Sequence, residues 1–182
     1  IRRQRQMCIR DRQYKYKTMD LDPARPLKVI NQQIYDWAAK AGFPPDFFRE
    51  SYFDQVTLSC LPDHADCNFS RFNNCTFAVC RIYDARFDGA SLFNSEFHSC
   101  AIDHTTFFHA TLADTHFYDC GMAWLSFQQA RLARCNFTDC AMDSVNFLLS
   151  TLDGCCAGRC QVKNIRCLDP VSYTHLTLPT NS

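Results

Sequence analysis

Residues 80–100 read CRIYDARFDGASLFNSEFHSC, opening and closing on cysteine, and Cys120, Cys140 and Cys160 follow in the same phase. A cysteine that returns every twenty residues has three readings: a metal site, a disulfide ladder or a structural repeat. The surrounding pattern decides between them. Counting every fifth residue from Phe72 gives Phe72, Phe77, Ile82, Phe87, Leu92, Phe97, Ile102 and Phe107, and the series runs to Leu152 with a large apolar side chain each time. Two residues ahead of each lies a mostly small side chain, beginning Ser70, Cys75, Cys80, Ala85, Ala90, Ser95 and Cys100, with Leu125 as an exception. The remaining positions are mainly polar.

No α-helix can use this pattern. At about 3.6 residues per turn, a five-residue apolar repeat sweeps around the whole helix surface and never forms one buried stripe. An inward pair two residues apart instead marks a short extended segment, whose alternate side chains face one way, and the polar residues between pairs suit a corner. The large positions resolve into four series, led by Phe77, Ile82, Phe87 and Leu92, each recurring at twenty. Four series predict a coil with four sides, in which residues twenty apart stack at about the 4.8 Å spacing of paired strands. About five such coils would stand roughly 24 Å tall.

Cys80, Cys100, Cys120, Cys140 and Cys160 then form one internal column, and nine of the thirteen cysteines occupy the small inward position. There a thiol serves as a compact apolar side chain. Rungs about 4.8 Å apart hold parallel Cβ atoms beyond the usual reach of a disulfide. Parallel thiols in a filled core cannot converge tetrahedrally on zinc. No metal, cofactor or disulfide is expected, and unpaired thiols suit a reducing compartment.

The stretches ADTHF (113–117), ARFDG (85–89) and CNFTDC (135–140) resemble those of pentapeptide-repeat proteins, in which a small residue and a large Leu or Phe recur every five. The resemblance covers about 100 residues. It implies an all-β solenoid, a right-handed quadrilateral β-helix. It also implies a bacterial setting in which some members mimic duplex DNA and bind DNA gyrase, protecting it from quinolones, while most have no assigned role.

The chain of 182 residues is 47% hydrophobic and 14% aromatic, which excludes a disordered polymer and fits one domain. Residues 1–12 and 171–182 resemble translated sequencing-adaptor read-through and are read as non-native, so the native chain can continue past Pro170 with a different sequence. Residues 1–12 carry five Arg and one Asp, so the remainder holds 14 basic against 18 acidic residues, a net charge of −4. No apolar run is long enough to span a bilayer and no apolar leader opens the chain, so a cytoplasmic location is expected. Residues 13–25 read as a linker, 26–51 as a helical N-terminal cap and 52–167 as the β-helix.

The cap reading rests on PLKVINQQIYDWAAKA (26–41), with Pro26 at a first helical position and Leu27, Ile30, Ile34, Trp37 and Ala41 on one face. A second short helix is expected around Asp46–Ser51, bringing Phe47 or Phe48 onto the same surface. Between Phe53 and Cys67 the register slips by one, which predicts an irregular first turn that takes Cys60 out of the column.

With the interior filled, function must sit outside. Stacking by twenty pairs Glu96 with His116, Asp84 with His104, Asp114 with Arg134 and Asp139 with Arg159. Residues 65–167 carry ten acidic and eight basic residues, too balanced for a phosphate mimic or a nucleic-acid binder. His98, His104, His109 and His116 fall on different columns, no phosphate loop is present, and Cys156 is the outward cysteine of the repeat region with no His or Lys nearby in sequence. No catalytic residue is expected. The outward apolar set Phe93, Phe108, Tyr118, Trp124, Leu148 and Leu149 is the candidate surface for a protein partner or a second copy. The resulting expectation is a non-catalytic protein-binding or scaffold module with no membrane or direct nucleic-acid contact. A gyrase-binding DNA mimic is the alternative, disfavoured by the near-neutral charge.

Overall fold

The computed structural model describes residues 26–167; the expected linker at 13–25 and the terminal segments read as non-native lie outside them. Three parallel sheets form three walls of a coil. The first wall stacks seven strands: Lys28–Ile30, Ser51–Asp54, Arg71–Asn73, Ser91–Phe93, Thr111–Ala113, Arg131–Ala133 and Thr151–Asp153. The second stacks six, from Thr57–Leu58 to Cys156–Gly158, and the third five, from Arg81–Tyr83 to Gln161–Lys163. The fourth wall is a ladder of single parallel bridges through Asp66, Arg86, Thr106, Ser126, Asn146 and Arg166. The coil is therefore a β-solenoid of about seven turns, taller than the expected five because the first wall begins below residue 52.

Register follows residue identity. Leu92, Leu112, Leu132 and Leu152 pair in sequence on the first wall, and Phe77, Phe97, Phe117 and Phe137 on the second. The second-wall rings stack at centroid distances of 4.2, 4.6 and 4.9 Å. Phe87, Phe107, Phe127 and Phe147 form a facing column on the fourth wall at 4.8, 4.8 and 5.1 Å. The two columns meet edge to face across the core, Phe117 against Phe127 at 82°. Such pairs add to the burial of their apolar area.

The small inward slot has a hydrogen-bonding role beyond its size. Cys100 Sγ donates to the carbonyls of Phe77 (3.3 Å) and His98 (3.4 Å), and Cys120 repeats this with Phe97 and Tyr118. Ser95 and Thr115 hydroxyls donate to the equivalent carbonyls. Cys, Ser and Thr interchange here because each supplies one short donor to the same pair of backbone oxygens. Among the described residues nine cysteines are buried, but eight of them and not nine fill the small slot, because Cys60 leaves it and Cys67 sits in a large slot in phase with Phe87. The twelve described cysteines are free thiols.

Each corner is turned by one residue in the left-handed region, from Asn74 (φ 52°) every fifth position to Asn164 (φ 53°). Asn, Asp and Gly fill many of these positions, as the steric cost of that region favours. The expected register slip is present: Phe53 pairs with Phe72 and Leu58 with Phe77, nineteen residues apart, whereas later rungs are twenty apart. Leu61 is buried after the slip while Cys60 is only half-buried, its sulfur 3.5 Å from the Tyr35 hydroxyl.

The cap differs from its sequence reading. Lys28–Ile30 is a strand beneath Ser51–Asp54, and the helix starts later, at Gln32, running to Ala41. Asn31 sets that start by accepting from the Ile34 amide at 3.0 Å, a standard N-cap bond that outweighs the Pro26 signal. The helix buries Tyr35 and Ala38, while Trp37 and Ile34 face outward, so the apolar stripe read from the sequence is not the packed face. Residues 45–50 form turns closed by Phe47 N to Pro44 O and Arg49 N to Asp46 O, in place of a second helix. Phe47 and Phe48 are both buried there, and Phe48 stacks on Phe53 at 5.8 Å, closing the lower end of the core.

Candidate protein-interaction surface

The fourth wall differs from the others in how it turns. Each of its rungs closes a hydrogen-bonded turn, as in Ala90 N to Phe87 O (3.1 Å) and Ala110 N to Phe107 O (3.1 Å). Its lower half is polar and internally bonded. Arg49 pairs with Asp66 at 2.8 Å, Asn68 Oδ1 accepts from the Asp88 amide, and Asp88 Oδ1 accepts from the Thr106 hydroxyl (2.7 Å) and the Phe108 amide. Asp88 also holds Arg86 at 3.2 Å.

The upper half carries apolar side chains among its polar ones. Phe108 and Leu148 occupy the same outward column, two rungs apart with Gln128 between them, and Leu149 forms the corner beside Leu148. Trp124 forms the opposite corner of the same wall. Both corner residues are in the left-handed region, Trp124 at φ 56° and Leu149 at φ 59°, and they are 52% and 64% exposed. Large side chains there carry a conformational cost and leave apolar area in water. The structure thus gathers Phe108, Trp124, Leu148 and Leu149 on one wall. Phe93 is on the first wall, 42% exposed, and Tyr118 is on the second, stacked on His98 at 4.9 Å, so neither joins them.

Other exposed apolar residues escaped the sequence reading of the surface. Val79 is 75% exposed at a corner with φ 55°, and Trp37 is 67% exposed on the helix. Val79 was legible in principle, since it occupies the corner position that Asn, Asp and Gly share elsewhere.

The ion ladders are partly as expected. Arg134 grips Asp114, and Arg159 grips Asp139, through two 2.6 Å hydrogen bonds each, holding both carboxyls below the usual range. Two histidines choose nearer partners, His98 Nε2 lying 2.8 Å from Glu96 and His104 Nδ1 2.8 Å from Asp103, and Asp84 meets His64 Nδ1 at 2.8 Å one rung below in place of the expected His104. Glu96 is level with His116 in register, but its carboxylate turns to the ring two residues along its own strand. Cys156 Sγ donates to Asn136 Oδ1 at 2.6 Å. Among the described residues, no three His, Cys, Asp or Glu side chains converge on a point that could hold a metal ion. The clefts are shallow, such as one of about 300 Å³ lined by Pro26, Lys28, Asp46, Arg49 and Glu50. No described helix is long and apolar enough to cross a membrane.

A filled, four-walled stack of five-residue sides with its variation confined to the outside defines a parallel β-solenoid repeat protein. The family model for the pentapeptide repeat region matches residues 70–147 and 90–167, more than half of the chain, and the protein belongs to that family. No curated protein matches it. Among solved structures, a trypsin-treated variant of QnrB1, a plasmid-mediated fluoroquinolone resistance protein, aligns with TM-score 0.52 at 13% identity, covering 64% of this chain and 58% of that one. The match therefore spans less than two thirds of QnrB1. Rfr23 from the cyanobacterium Cyanothece 51142 aligns with TM-score 0.42 at 12% identity, over 63% of this chain and 83% of that one. At these identities the likeness to QnrB1 is one of fold.

Proposed function

We propose that this chain is a non-catalytic protein-binding module whose upper fourth wall receives the partner. The carrying observation is the pair Trp124 and Leu149, two large side chains held at strained, exposed corners on either side of the wall that carries Phe108 and Leu148. Most described corners of this wall depart from Asn, Asp and Gly, but Trp124 and Leu149 are the ones that leave a large apolar side chain more than half exposed, which supports selection for contact. The pentapeptide-repeat family is generally non-catalytic, which supports this reading. The free thiols support a reducing, cytoplasmic setting.

The test is the double substitution Trp124→Asn with Leu149→Asn, which suits the left-handed corners and should leave the melting temperature unchanged or higher. Recovery of partners from a bacterial lysate, or an elution volume that reports self-association, should fall. If both stay as in the parent protein, the wall is not the binding surface.

A gyrase-directed DNA mimic is the second reading, favoured by the fold likeness to QnrB1. Its charge argues against it. Asp114 and Asp139 are each neutralised by an arginine, and Asp103 and Asp143 alternate with Ala123 along their column, far from the dense row that a duplex presents. Inhibition of gyrase supercoiling by the purified protein would favour this reading over the first.

A further inference from the structure

The solenoid places cations over aromatic rings at two places beside the fourth wall. Arg49 lies 5.8 Å over the Phe69 ring at one corner, and Arg81 lies 5.1 Å over Tyr83, next to the other. Trp124 is on the same side as Tyr83, two rungs higher, and no such cation reaches it among the described residues. Between Arg86 and Arg131 the chain holds no Lys or Arg, while Asp88, Glu96, Asp103, Asp114 and Asp119 fall in that interval.

The surroundings of Trp124 are half built for a cation. One face of the indole looks onto the His104 ring, at 6.1 Å and 24°. The next residue up the column is Ser144, too small to cover the other face. Ala123, the residue before Trp124, pairs with Asp103 below and Asp143 above, so the rungs on either side of Trp124 each carry an Asp one residue before the corner. Asn164 and Ser144 both donate to Asp143 Oδ1, at 2.9 and 3.0 Å, and hold its carboxyl below the usual range. Lys163, the register partner of Asp143 one rung higher, contributes in the same direction. Asp103 lies against His104 at 2.8 Å.

We propose that the open face of Trp124, on a rung bracketed by Asp103 below and Asp143 above, receives an Arg or Lys side chain from the protein partner, whose neighbouring apolar residues cover Phe108, Leu148 and Leu149. This deepens the binding-module reading and rests on it. The partner segment alternates basic and apolar side chains: the ring quadrupole and two carboxylates select the cation, and the wall selects its apolar neighbours.

The test uses two labelled hexapeptides, one alternating Arg and Leu and one alternating Gln and Leu, followed by anisotropy at low salt. The Arg peptide should bind at least about fivefold more tightly, in keeping with a cation–π contact supported by carboxylates. That preference should fall to about one in Asp103→Asn with Asp143→Asn, and in Trp124→Leu, while Gln-peptide affinity in the Asn variant stays at the parent level. Equal affinity for both peptides in the parent overturns the cation site and leaves the apolar wall standing. A preference that survives both variants also overturns it. Binding of neither peptide overturns this inference and the wall together.

Discussion

Phe97 lies over Phe77 with ring centroids 4.2 Å apart and planes 4° from parallel, and both rings are fully buried. Their overlap follows directly from the twenty-residue turn, because the two residues pair in register on neighbouring rungs. Removing one ring opens a void that neighbours in a rigid stack cannot collapse into. Phe97→Ala should cost about 3–5 kcal/mol, read from the urea midpoint. A loss below about 1 kcal/mol would mean that the rings are not stacked as described.

Val79 argues the opposite case. Its β-branched side chain is held at φ 55° at an exposed corner, where Asn74 and Asp84 occupy the flanking corners with ease. Val79→Asn should raise stability by about 1 kcal/mol, because a short polar side chain tolerates the left-handed region. A rise in melting temperature with an unchanged circular dichroism spectrum is the expected result; a fall would point to a packing role for the valine.

The repeat was legible because it is stated over and over: a misread residue in one rung is corrected by the same slot in the next. The ends and the outside lack that redundancy. Pro26 and the apolar spacing after it suggest a helix, yet Asn31 places the cap five residues later and the preceding segment joins the first wall as a strand. Turns replace the helix expected around Asp46 for the same reason, since two adjacent buried rings, Phe47 and Phe48, close the core without one. Outward pairs were half legible. Arg134 and Arg159 reach one rung down to Asp114 and Asp139, but His98 and His104 meet carboxylates on their own rung before those twenty residues away. The candidate surface divided likewise, four of its six residues sharing one wall that only the positions of the corners reveal.

Gly89 tests a single close approach. It turns its corner at φ +66°, and an added Cβ would lie 2.7 Å from two ring atoms of Phe69. Other residues of that column, His109, Gln129 and Leu149, accept the same φ, so conformation alone does not require glycine. Gly89→Ala should therefore destabilise mainly through the ring, and Phe69→Ala in the same chain should recover part of the loss. A double-mutant cycle with a coupling of about 0.5 kcal/mol or more is expected; strict additivity would show that the two residues are independent.

The buried thiols make the fold sensitive to alkali. Burial pushes Cys75 up to about 11, and its thiol neighbour Cys100, together with burial, takes Cys120 up to about 12, both from an ordinary value of 9.0. Above pH 9 the unfolded chain releases these protons while the folded chain keeps them. Their contribution is therefore complete below that pH and is lost as pH rises towards 11–12. Cys75 alone should account for about 3 kcal/mol across its window. Urea midpoints measured from pH 8 upward should fall steeply in the parent protein and less steeply in Cys75→Ala, which carries one titrating thiol fewer. Equal slopes would show that the thiol ionises as readily folded as unfolded.

Tyr35 ties the helix to the irregular first turn. Its hydroxyl accepts from the amides of Ser59 and Cys60, each at 2.9 Å, and donates to the Cys60 carbonyl at 2.8 Å, where the register shifts from nineteen to twenty residues. Tyr35→Phe keeps the ring but strands two amides and a carbonyl, a loss of about 2–4 kcal/mol. In a stack where each rung contacts mainly its neighbours, that loss should stay local. Amides of residues 51–60 should exchange with solvent much faster in Tyr35→Phe, while those of residues 111–140 keep their protection. Faster exchange spread evenly over all rungs would mean that the solenoid unfolds as one cooperative unit whose lower end governs its stability.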